Sequence, residues 1–217
     1  MKTTKIIFLL GESRSGKDTV GKAFLKHGYI RVSFADIMKE EYAKQIGIDV
    51  SELHIQGPKK ESHRAGIIQF AEAARAIDSL TWLNKAFEKY RDIDGSFKEG
   101  LKLVITDFRR DSEVDWFYDL WSTIRSFEYN SNPMLTKEHY IDLKMFYILN
   151  PDSGDTDVLT HYTIGKAFGI NKIYPGFISG TIHNNICAGK EITDAQYKIM
   201  KESLEKKTSK LIEIFDL

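Results

Sequence analysis

An apolar run, Ile6-Ile7-Phe8-Leu9-Leu10, feeds directly into Gly11-Glu12-Ser13-Arg14-Ser15-Gly16-Lys17-Asp18-Thr19. The run is long enough for one buried strand, and the segment after it reads as a glycine loop opening a helix. The spacing is G-x-x-x-x-G-K, with Asp-Thr next in place of the usual Ser or Thr. That order suits a chain whose backbone N–H groups wrap around an anion. Gly11 and Gly16 let the backbone turn sharply and approach oxygen atoms closely, and a helix starting near Gly16 aims its positive end at them. Lys17 adds a flexible point charge able to follow the outer groups of a polyphosphate. A glycine turn ahead of an ordinary helix is the plainer alternative. The preceding strand, both glycines, the lysine and the N-terminal position together favour the anion cradle.

Periodicity supplies the remaining elements. Residues 5–10 read as the first strand and 17–26 as its helix. A second strand is predicted over 29–34, then a helix over 36–46 with Ile37, Met38, Tyr42 and Ile46 near helical spacing and Gly47 as its stop. Residues 61–90 carry a helical pattern with a break near Ala76-Ile77-Asp78. Ile67, Ile68, Phe70 and Ala71 form one apolar stripe there, and Leu80, Leu83, Ala86 and Phe87 another. Leu101 to Thr106 is a buried strand ending at Asp107, with a helix over 113–121 behind it; 123–128, 143–149 and 177–183 read as further strand. Thr193-x-x-Gln196 is a capping box for a last helix whose apolar face is Tyr197, Met200, Leu204, Leu211, Ile212 and Phe215. Strands alternating with helices imply right-handed crossovers, a parallel doubly wound sheet, and ligands beyond the carboxyl ends of the strands. The glycine loop and Asp107 both lie at such ends. Residues 130–175, interrupted at Asn132-Pro133, Asn150-Pro151 and Tyr174-Pro175-Gly176, are expected to be an insertion able to close over a substrate.

Composition narrows the function classes. The 217 residues suffice for one generous α/β domain. Lys+Arg 31 against Asp+Glu 31 argues against a long nucleic acid held by bulk electrostatics. The one cysteine, Cys187, permits no internal disulfide, and no apolar stretch approaches membrane-spanning length. A cytoplasmic location is the default expectation, with a monomer or homodimer as the assembly.

Leu103-Val104-Ile105-Thr106-Asp107-Phe108-Arg109-Arg110 is the second chemically informative stretch. An acid at a strand end can hold Mg²⁺ directly or through water, or simply cap the next helix. Arg109 or Arg110 can grip phosphate in a bidentate fork, or pair with Asp111 or Glu113. Phe108 stands where hydrolytic motors often place a water-aligning Glu, and no N-K-x-D guanine-reading motif occurs. A phosphotransferase is favoured over a nucleotide hydrolase.

Arg14-Ser15-Gly16-Lys17-Asp18-Thr19, Ser33-Phe34-Ala35-Asp36-Ile37-Met38-Lys39-Glu40 and Thr106-Asp107-Phe108-Arg109-Arg110 together resemble phage-type deoxynucleoside monophosphate kinases. The same signatures resemble animal-type phosphomevalonate kinases. There the likeness extends through Lys60-Glu61-x-x-Arg64, Glu72-x-x-Arg75 and Asp115-Trp116-Phe117, so that it covers roughly 5–120. Either resemblance implies a three-layer P-loop kinase fold with five parallel strands, a helical acceptor region and a lid. It implies transfer of the ATP γ-phosphate, with Mg²⁺, to a phosphate already on a small acceptor.

Carried onto this chain, the resemblance makes Gly11, Ser13, Ser15, Gly16, Lys17, Asp18 and Thr19 the ATP-phosphate cradle. Lys17 would meet the β- and γ-phosphates, Thr19 the α-phosphate, and Asp18 with Asp107 the metal. Arg14 and Arg109 would act on the transferring group. Asp36, Lys39, Arg64, Arg75 and Arg110 would bind the acceptor. The implied organisation is a single domain over 1–217, its core about 1–128 and 177–217, acceptor helices about 36–90 and lid about 130–175. A deoxynucleoside monophosphate is the first expectation for the acceptor, and phosphomevalonate or another phosphorylated metabolite the alternative. A nucleotide-binding regulatory protein with weak turnover is a third reading. It is motivated by the absence of arginine beyond Arg125, which leaves Lys137, Lys144, Lys166 or Lys172 to serve a lid as point charges.

Overall fold

The computed structural model describes residues 2–12, 15–55, 57–130, 141–150, 158–184, 194–214 and 217, without side-chain detail at 127–130, 158–162, 196–197 and 214. Five parallel strands make one sheet in the order β2-β3-β1-β4-β5. They are β1 (Thr4–Leu10), β2 (Ile30–Val32), β3 (Lys102–Ile105), β4 (Ile141–Leu149) and β5 (Gly180–His183). Between and after them run α1 (Lys17–Lys26), α2 (Phe34–Ile46), α3 (Ser51–His54), α4 (Pro58–Ile77), α5 (Thr81–Glu88), α6 (Asp111–Asn130), α7 (Val158–Ile173) and α8 (Asp194–Ile214).

β1 is apolar on both faces because both are covered, as a central parallel strand requires. Ile7 and Leu9 share one cluster with Val20 and Phe24 of α1, Val104 of β3, Phe146 and Ile148 of β4, and Leu204 and Ile212 of α8. Phe8 points to the opposite face, edge-on to Phe108 at 5.1 Å and to Phe117 of α6 at 5.1 Å. The period of two along the strand thus sorts the helices into two layers around the sheet.

The chain divides into two compact units, Met1–Val32 with Tyr90–Leu217, and Ser33–Lys89. The first holds the sheet with α1, α6, α7 and α8. The second is helical. Ser33 caps α2, its Oγ accepting from the Asp36 N–H at 3.1 Å, and Gly47 ends that helix at φ 73°. Pro58 occupies the first turn of α4, which runs unbroken to Ile77. Gly66 of α4 lies against the Tyr42 hydroxyl of α2, where a Cβ would collide.

Several sequence expectations need correction. Residues 123–128 are helix, not strand. Val114, Phe117 and Ile124 repeat at helical spacing on the buried side of α6, and no breaker follows Trp121, so the β-branched pair Thr123-Ile124 continues the helix. The stretch 130–175 is not one insertion. Ile141–Leu149 is β4, the strand read over 143–149; it pairs with β1 from Ile141 to Tyr147, and its near-continuous apolar run is what a doubly covered strand needs. In α4, Ile68 is 54% exposed, so the stripe expected over 67–71 loses that residue, while Ile67 and Phe70 are half-buried, Ala71 is buried, and Phe70 packs against Tyr42 and Trp82. The strands predicted over 29–34 and 177–183 shorten to β2 and β5, with Phe34 starting α2 instead. Residues 152–157, Cys187, Thr193 and Phe215 lie outside the described residues.

Candidate active site

Immediately after β1 the chain enters the glycine loop. A Cβ on Gly11 would sit 2.7 Å from the Ile148 carbonyl oxygen and 2.7 Å from Ser15 Oγ, so only glycine fits beside β4. Gly16 precedes α1 with φ 98°, in the left-handed region. Ser15 is fully buried and its N–H donates to the Glu12 carbonyl at 3.2 Å. Lys17 is buried to 7% exposure, an unusual position for a lysine. Its Nζ donates to the carbonyls of Gly11 and Glu12, each at 2.6 Å, which sets a positive charge inside the loop. Asp18 is exposed and Thr19 half-buried in the first turn of α1. Ser13 and Arg14 lie outside the described residues.

Asn184, just past β5, completes this loop. Its backbone N–H donates to the Leu149 carbonyl at 2.8 Å, and its Nδ2 donates to the buried Ser15 carbonyl at 2.7 Å. A Cβ on Gly16 would lie 2.5 Å from that Nδ2. No sequence argument singled out Asn184, because its partner is 169 residues away. A buried carbonyl left without a donor is costly, so Asn184 holds the loop in one shape. Beside it His183, Ser203 and Lys207 line a cavity of about 200 Å³ between β5 and α8.

Asp107 follows β3, the neighbour of β1. The register pairs Phe8 with Ile105, and two further residues bring the chain to Leu10 on one side and Asp107 on the other. Loop and acid therefore stand at the carboxyl ends of adjacent strands, with inter-strand spacing of about 4.8 Å. Asp107 is half-buried. The Glu113 carboxylate, 5% exposed, accepts from the backbone N–H groups of Arg109 at 2.7 Å and Arg110 at 3.0 Å. Glu113 thus caps α6 on the backbone of the arginines, and no acid pairs with the exposed Arg109 guanidinium among the described residues. Thr163 of α7 is fully buried; its Oγ1 lies 2.7 Å from the Arg109 carbonyl, to which it donates, and 3.1 Å from Asp111 Oδ1.

The four expected acceptor residues on helices belong to the 33–89 unit. Asp36 and Lys39 pair with each other at 3.1 Å. Arg64 and Arg75 each pair with the acid three residues earlier, Glu61 at 3.2 Å and Glu72 at 2.9 Å. Arg64 is largely in solvent and Arg75 mostly buried, at 68% and 17% side-chain exposure. Eleven residues apart on one unbroken helix, they lie within about 20° of the same face at 3.6 residues per turn. Two of the four lysines expected to serve a lid pair with acids. Lys144 is a β4 residue paired with Asp142, and Lys166 binds Asp115 of α6 at 2.7 Å. Lys172 is exposed near the end of α7, and Lys137 lies outside the described residues.

A family model for phosphomevalonate kinase matches residues 9–123, just over half of the chain. The chain belongs to the phosphomevalonate kinase family. Phosphomevalonate kinase of Drosophila melanogaster is 25% identical over 124 residues, which are 56% of this chain and 64% of that one. The match thus spans less than two thirds of that relative. Among solved structures, a gluconokinase from Sinorhizobium meliloti 1021 is 13% identical with 100% of both chains covered and a TM-score of 0.34. TT1252 from Thermus thermophilus is 12% identical, with 97% and 99% covered and a TM-score of 0.36. At these scores neither likeness bears on fold or function. The span matched to the phosphomevalonate kinase family contains the glycine loop, the whole 33–89 unit and Asp107 to Glu113. It ends before β4, so Asn184 and Thr163 lie beyond it.

Proposed function

We propose that this chain is an ATP-dependent kinase that phosphorylates phosphomevalonate on its existing phosphate. The observation that carries the reading is the match to the phosphomevalonate kinase family over 9–123, a span that includes a buried lysine within a glycine loop. The deoxynucleoside monophosphate expected first as acceptor finds no support in that match, which favours the alternative.

The polyphosphate of ATP is assigned to the loop 11–19, whose close backbone and enclosed Lys17 charge suit three linked phosphates. Mg²⁺ fits Asp18 and Asp107, since this ion commonly takes one or two carboxylates and completes its shell with phosphate oxygens and water. When bound it would neutralise charge between the β- and γ-phosphates. An acceptor phosphate oxygen is already nucleophilic. It forms the new bond to the γ-phosphorus as the bond to ADP breaks, and no strong base is needed. Positioning and charge stabilisation supply the rate. Arg109, exposed beyond β3, and Arg14 are assigned to the moving group. Arg110, Asp36, Lys39, Arg64 and Arg75 are assigned to the acceptor, with Arg64 and Arg75 exchanging Glu61 and Glu72 for its anionic groups.

The test is ADP release by the purified protein with ATP, Mg²⁺ and each candidate acceptor. Phosphomevalonate should stimulate release, and the deoxynucleoside monophosphates should not. Lys17→Ala should abolish turnover while the circular dichroism spectrum stays unchanged. Release with none of the acceptors, together with tight ATP binding, would replace the proposal with a regulatory nucleotide-binding role.

A further inference from the structure

At the other end of the sheet from the glycine loop lies a cavity of about 280 Å³, lined by Arg91, Ser96, Phe97, Trp116, Asp119 and Thr123 among others. All belong to the same compact unit as the sheet. A tight turn builds one wall. Arg91 bridges Phe97, Lys98 N–H donates to the Tyr90 carbonyl at 2.9 Å, and Gly95 N–H to the Asp92 carbonyl at 2.9 Å. The opposite wall is α6. Ile141, which also lines the cavity, is the first residue of β4 and pairs with Thr4, the first of β1. Six residues of about 3.3 Å each separate Thr4 from Leu10 before the loop, so the two places are about 20 Å apart.

The Arg91 side chain is the chemically unfinished part of this cavity. Its Nε is buried with no hydrogen-bond partner, and no acid forms an ion pair with the guanidinium among the described residues. Its one described partner is the Phe97 ring, with the guanidinium carbon 5.3 Å from the centroid. Burial pulls its proton affinity below the ordinary arginine range. Partly desolvated cations are costly unless paired, and unsatisfied buried polar groups commonly mark an absent water or ion. Apolar surface from Phe97 and Trp116, hydroxyls from Ser96 and Thr123, and one exposed acid, Asp119, surround the charge.

We propose that this cavity is a second ligand site, for a small organic acid with one carboxylate and a flat apolar body. The carboxylate would pair with Arg91 while the body lies between Phe97 and Trp116. Asp119 disfavours a polyphosphate here, and the volume, equal to roughly nine waters of liquid, limits the ligand to a small molecule. The site is independent of the kinase reading and separate from the glycine loop.

Benzoate is the probe, benzyl alcohol its neutral counterpart, and Arg91→Met the variant that keeps the stem but removes the charge. Titration calorimetry and thermal unfolding on the whole chain should show binding of benzoate but not of benzyl alcohol. Binding should persist in saturating ATP and weaken by about tenfold or more in Arg91→Met, the expected loss for one charge-assisted contact. Without ligand, Arg91→Met should melt at or above the parent temperature, because an uncompensated half-buried charge has gone. Equal benzoate binding by parent and variant, no binding by either, or displacement by ATP would each overturn the proposal. So would a clear drop in the variant's melting temperature, since the guanidinium would then be a structural member of the fold.

Discussion

Asn184 shows how one amide can govern a loop formed at the other end of the chain. Its Nδ2 reaches the Ser15 carbonyl at 2.7 Å, and glycine at 16 is what leaves room for it. Asn184→Ala would leave that buried carbonyl unpaired, at a cost of about 1–3 kcal/mol. The loop should lose its shape before the sheet loses its fold. The expected outcome is a several-fold rise in the KM for ATP with a smaller change in kcat, read from initial rates against both substrates. A fall in kcat alone would assign Asn184 a different role. Arg109 is expected to act on the transferring group, so Arg109→Ala should cost about three powers of ten in kcat, by analogy with arginines that stabilise phosphoryl transfer. Of the residues proposed for the site, those within the glycine loop were legible from spacing alone, because consecutive backbone amides create the cradle. Asn184 and Thr163 were not legible, since each works through hydrogen bonds to groups distant in sequence and neither falls in a local pattern.

At the scale of elements, the start of α6 is the most consequential junction. One carboxylate oxygen of Glu113 accepts from the N–H groups of both Arg109 and Arg110, so this cap fixes the arginines through their backbone. Sequence alone offered the opposite use, a salt bridge from Glu113 to a guanidinium. Glu113→Gln should lower the unfolding free energy by about 1 kcal/mol, because a neutral amide caps a helix less strongly than a carboxylate. Its kcat should fall while thermal melting remains cooperative. An unchanged kcat would show that the arginines do not depend on this cap. The breaks at Gly47 and Asp78 were readable because a left-handed glycine and a helix stop are local events. The length of α6 was not, because β-branched residues at 123–124 favour a strand until tertiary burial of Ile124 outweighs the preference.

Across the whole sheet-bearing unit, the two ends of the strands carry different chemistry. The carboxyl ends hold the loop, Asp107 and the start of α6; the amino ends border the Arg91 cavity. Hydrogen exchange should separate them. ATP is expected to slow exchange at 11–20 and in the first turn of α6, and to leave the 90–98 turn unchanged. Benzoate should protect the 90–98 turn and leave the loop unchanged. Protection of the same peptides by both ligands would mean that they share one site.

Local order along the chain was enough to predict a parallel sheet, a glycine loop at its carboxyl edge and an acid followed by two arginines after β3. Strand burial, helix caps and glycine turns are written in neighbouring residues, so those features survive without knowledge of distant contacts. Tertiary structure alone placed the strand read over 143–149 beside β1, tied Ser15 to Asn184, occupied Lys144 and Lys166 with nearby acids, and left Arg91 without an acid among the described residues. Each of these depends on which groups meet in space, and pairing over long sequence separations is set by packing of the folded chain.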